Sequence, residues 1–221
     1  MFHTSKLIAV VSGLLASSLT ASAAVVFSNL SRDTYGYGYQ NPSSWIGGVV
    51  YLDAPGATIT SATIHIRNVI VGYGNGTMEL AFWALQSGAD GILGTADDKI
   101  GEQLGLVNTG ATTVSSNSPY TFSDFSIELP KNFVFTVNNV AGSLSYTIGA
   151  SNSVEAIGGT TNPNTSWYGA TGNPAEGLAV NMTGSTPVIQ LNGVAAIPEP
   201  ATAGVLLGLS GLGMALLRRR R

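Results

Sequence analysis

The run Ala62-Thr63-Ile64-His65-Ile66-Arg67 alternates apolar and polar side chains. A period of two is that of a strand, so Ala62, Ile64 and Ile66 mark a buried face and Thr63, His65 and Arg67 an outer one. The pattern recurs on both sides of it. Met78, Leu80, Phe82 and Ala84 share one face, and Glu79, Ala81, Trp83 and Leu85 the other. Phe125, Ile127 and Leu129 alternate, as do Phe133, Phe135 and Val137, then Leu144, Tyr146 and Ile148, then Leu178, Val180 and Met182. Each run is short and bounded by Gly, Asn, Pro or Asp, and no helical period is sustained between the chain ends. The reading is all-β: one β-sandwich with jelly-roll or Greek-key connections, filling residues 24–194. Asp90 to Gln103 and Ala156 to Glu176, both interrupted by glycine, read as loops.

The two ends follow other rules. After a cation at Lys6, Leu7 to Leu15 is apolar, and Ala21-Ser22-Ala23 fits the small-residue rule for signal cleavage. Residues 1–23 are therefore expected to be a secretory signal peptide cut after Ala23. At the other end Pro198-Glu199-Pro200 precedes Ala201 to Leu217, which holds no charge, and then Arg218, Arg219, Arg220 and Arg221. As a helix, residues 201–217 span about 25 Å, enough for a thin bilayer core. The arginines should stay cytoplasmic, which puts the body on the far side of the membrane.

Charge narrows the function classes. The 221 residues hold nine Lys plus Arg, twelve Asp plus Glu and no Cys. Five of the nine cations (Lys6 and the four terminal arginines) belong to the ends, so the body keeps four against eleven acids. That is no footprint for nucleic acid. Without Cys, disulfides, thiolate catalysis and Cys-ligated metals are excluded. The body retains one histidine, His65, which reads as a structural, surface-facing residue.

The Pro-Glu-Pro trio, the glycine-laced apolar segment and the arginine cluster together resemble the PEP-CTERM sorting signal, here over residues 195–221. The resemblance implies a Gram-negative bacterium, recognition and cutting by an exosortase, and a place at the cell surface or in an exopolysaccharide matrix. The body also resembles choice-anchor β-sandwich domains found upstream of bacterial sorting tails, through Val25-Val26-Phe27, Trp45 to Leu52 and Ala57 to Val69. That likeness implies surface localisation and brings no established catalytic residues.

Three candidate chemistries remain. Asp90, Asp97 and Asp98, with turns at Gly91 and Gly94, supply oxygens for a Ca²⁺ ion, although Ile92 and Gly94 stand where an EF-hand loop needs ligands. The competing reading is a turn whose carboxylates face water. Trp167 and Tyr168, in a Gly-, Pro- and Asn-rich stretch, are the candidate sugar contacts, whereas Trp83 reads as core. A serine-type triad would need His65, which has no nucleophile-elbow sequence near it. A glycan hydrolase needs only two carboxylates, and no pair here has a distinctive context. The expected function is a non-enzymatic surface or matrix protein that meets the secretion machinery, an exosortase, the membrane through its C-terminal helix, and exopolysaccharide. A carbohydrate-binding module is the alternative, and a glycan hydrolase the weaker one.

Overall fold

Strand β3 (Trp45–Val69) is 25 residues long, and six of the other thirteen described strands pair with it. The computed structural model describes residues 23–33, 35–40, 44–70, 72–95, 97–162, 167–169, 174 and 184–196, with backbone alone at 35–40 and 167–169. Around β3 lie β1 (Ala24–Ser28), β2 (Tyr35–Gln40), β4 (Asn75–Gln86), β5 (Lys99–Asn108), β6 (Thr112–Thr113) and β7 (Ser118–Phe122). The chain continues through β8 (Ile127–Gly142), β9 (Tyr146–Ser151), β10 (Glu155–Ala156) and β11 (Gly159–Thr161). It closes with β12 (Trp167–Gly169), β13 (Thr186–Pro187) and β14 (Ile189–Ala195). Every pairing is antiparallel, and the main path runs β1-β14-β3-β8-β4-β5.

One side of β3 is lined in turn by β12, β11, β14 and β9, the other by β8 and then β7. The change of partner has a local cause. Tyr51 stands opposite Asn132, but Gly56 stands opposite Pro130, so the residues between them form a bulge that holds Pro55. Proline has no N–H to give a ladder, and a bulge bends the strand and raises its twist. The expected all-β class holds. The expected pair of separate sheets does not: among the described residues all the strands join one hydrogen-bonded sheet, because β3 is long enough to serve successive partners. Two expected loops also contain strand. Gly159–Thr161 and Trp167–Gly169 pair with β3, and Lys99 to Gln103 open β5.

The alternating residues are buried as the pattern requires. Ala62, Ile64, Ile66, Met78, Leu80, Phe82, Phe133, Phe135, Val137, Leu144, Tyr146 and Ile148 are all fully buried in one cluster with Phe27 and Leu191. Burial of each large side chain contributes about 1.5–3 kcal/mol. Since β4 is not paired with β9 or β14, their shared cluster means that the sheet wraps over its own apolar face. Phe82 packs edge-on against Phe133 at 6.0 Å and tilted against Phe125 at 6.4 Å. Burial also pushes the Tyr146 hydroxyl up from its ordinary pKa.

The opposite face carries a smaller cluster of Trp45, Val49, Ala81, Trp83 and Val134. Trp45 to Val50 is consequently buried on both faces. Trp83 is core, as expected, and its indole N–H donates to Thr136 Oγ1 at 2.9 Å. The strand expected at Leu178 to Met182 and the apolar segment 201–217 lie outside the described residues. Among the described residues no helix is long and apolar enough to cross a membrane.

Candidate functional site

The loop between β4 and β5 is organised by its own carboxylates. Asp90 Oδ1 accepts the Ile92 N–H at 2.8 Å, and Asp97 accepts the Thr95 hydroxyl at 2.7 Å and the Asp90 N–H at 3.3 Å. The Thr95 hydroxyl is the main reason the Asp97 carboxyl titrates below its ordinary range, with backbone N–H groups adding to it against some desolvation. Gly94, at φ +93°, adopts a conformation that side chains resist. Its N–H donates to Asp98 Oδ2 at 2.6 Å, and its carbonyl accepts from Asn162 Nδ2 at 3.1 Å. Asp97 is exposed, whereas Asp98 is only 4% exposed and its Oδ1 is buried without a hydrogen-bond partner. The three acids expected to share an ion therefore sit in different environments. Among the described residues no group of three His, Asp or Glu side chains is placed to hold a metal.

A second polar cluster was not legible in the sequence. Asp33, whose side chain is 7% exposed, receives His65 Nδ1 on its carboxylate and Arg67 Nε at 3.1 Å. Arg67 Nη2 also donates to the Asp33 carbonyl at 3.1 Å. His65 and Arg67 converge because residues two apart on a strand share a face. A Cβ at Gly149 would come within 2.6 Å of the Asp33 carboxylate, so glycine leaves the room that the cluster needs. His65 is thus half-buried and hydrogen-bonded to a buried carboxylate. Its spacing to Arg67 was the available signal; Asp33, far off in sequence, gave none.

The remaining expected sites fall only in part within the described residues. Trp167 and Tyr168 fall on β12, opposite Gly47 and Ile46 of β3; their side chains lie outside the described residues. Ala23 immediately precedes β1 and is exposed, and Ala21 lies outside the described residues. Pro198, Glu199, Pro200 and Arg218 to Arg221 also lie outside them. Among the described residues the last backbone bond of the body runs from the Ala196 N–H to the Gly56 carbonyl at 2.8 Å.

That residue is also where a likeness to a known family begins. Residues 196–221 match the family model of the PEP-CTERM protein-sorting motif. The chain carries a PEP-CTERM sorting signal, which implies export, sorting to the cell surface and processing by an exosortase. No curated protein and no solved structure matches the chain.

Proposed function

We propose that this protein is a non-enzymatic structural component of the cell surface or of an exopolysaccharide matrix. On this reading it is exported through residues 1–23 and held in the inner membrane by a helix over residues 201–217. The arginines lie in the cytoplasm and the β body in the periplasm until an exosortase releases it. The observation that carries the reading is the sorting motif, which starts at the residue that makes the last backbone bond among the described residues. A body whose residues all precede that point is left whole by a cut near Pro198-Glu199-Pro200.

Intact-mass analysis of the protein from a host with the matching exosortase tests this. The expected mass lacks Arg221 and the apolar segment; a mature protein that still carries Arg221 leaves only a plain membrane anchor. For the biochemical role, purified protein is expected to show no glycan turnover, and turnover abolished by a single carboxylate substitution would overturn the non-enzymatic half. Binding to the host's own polysaccharide, lost in Trp167→Ala, would replace the structural reading with a carbohydrate-binding one.

A further inference from the structure

Asp98 stands out in charge accounting. Its carboxylate is 4% exposed, one oxygen takes the Gly94 N–H at 2.6 Å, and the other is buried and unpartnered. Among the described residues the ion pairs of lysine or arginine are Arg32 with Glu155 and Arg67 with Asp33, so no such side chain reaches Asp98. An ionised carboxylate buried without a counter-charge is costly, and the cost falls when a cation supplies it. The loop supplies none of its own and adds the negative charges of Asp90 and Asp97.

We propose that the β4–β5 loop binds one hard divalent cation, Ca²⁺ by preference, with Asp98 Oδ1 as its anchor. The Gly94 N–H holds the other oxygen of this carboxylate, which leaves Oδ1 to the ion, and backbone carbonyls of the loop together with water would complete the coordination. Asp97 is not the anchor, because both of its oxygens are engaged in closing the loop, by Thr95 and by the Asp90 N–H. Ca²⁺ accepts six to eight oxygens in flexible geometry, carbonyls among them, whereas Mg²⁺ demands a near-ideal octahedron and keeps several waters. A site with one buried carboxylate and a set of carbonyls suits the larger ion. Affinity in the range of extracellular modules, about 10⁻⁴–10⁻³ M, is expected.

The test is thermal unfolding of the full chain in mild detergent, in EDTA and in CaCl₂ up to about 10 mM, with MgCl₂ as control. Binding to the folded state alone at about 10–100 Kd should raise Tm by about 3–10 °C. Mg²⁺ should raise it less, and Asp98→Asn should abolish the Ca²⁺ shift. Hydrogen–deuterium exchange of the unsubstituted protein locates the effect even if that variant fails to fold: Ca²⁺ should slow exchange around Gly94. Superimposed melting curves at every concentration, protection confined to other segments, or a shift retained in Asp98→Asn would each overturn the site.

Discussion

Met78, Leu80 and Phe82 point from one face of β4 into the large core, while Ala81 and Trp83 point from the other into a cluster of five buried residues. Farther along β3 the second face is different: Thr63, His65 and Arg67 are only half-buried there, opposite the fully buried Ala62, Ile64 and Ile66. The sheet is thus buried on both faces at its β3-β8-β4 middle and on one face near β7. Where both faces are buried, alternation gives way to a run such as Trp45 to Val50, in which every residue is inside.

The contrast can be broken most severely in the large core. Phe82→Ala should cost about 3–5 kcal/mol in urea unfolding, since it removes the ring that touches Phe125 and Phe133. A loss below about 1 kcal/mol would mean that this cluster is not the main source of stability. The second face should yield less. Thr136→Val leaves the buried Trp83 indole N–H without its acceptor, at about 1–3 kcal/mol. Adding Trp83→Phe should recover part of that loss, and strict additivity of the two changes would show that the bond contributes nothing.

The smallest effect concerns Glu79. Desolvation raises its pKa above the ordinary 4.5, and the Asn138 Nδ2 bond to it, at 3.0 Å, offsets only part of this. A carboxyl raised in the folded state binds its proton more tightly there than in the unfolded chain. Its destabilisation is therefore absent below about pH 4.5 and develops as pH rises through the folded value. Glu79→Gln should melt higher than the parent at pH 7 and level with it at pH 4. An equal gain at both pH values would refute the desolvation account.

The large core was legible because period-two alternation survives wherever one face is exposed, as at Ala62 to Ile66. Bulge and partner-switching were not, since Pro55 announces a break in the ladder but not which strands lie on either side of it. Strands β11 and β12 escaped notice because three residues carry too little period to register; it is pairing with Tyr51 and Ile46 that makes them strands. At the β4–β5 loop the sequence supplied the three acids. Only tertiary packing separates the exposed Asp97 from the buried Asp98, and neighbours in sequence cannot reveal that difference.

The edge pairing of β1 with β14 has a mechanical consequence. Ala24 stands opposite Gly193, so the chain enters and leaves the body at the same end of one antiparallel pair. Tension applied between those two points acts along the ladder bonds and parts β1 from β14 one bond at a time, the least resistant geometry. Tension between the Ala195 end of β14 and the Val69 end of β3 would instead load all the bonds from Ile189↔Ile64 to Ala195↔Ala57 in parallel. A body tethered only by its C-terminal lead and gripped on β3 would resist drag far better than one held by both of its leads.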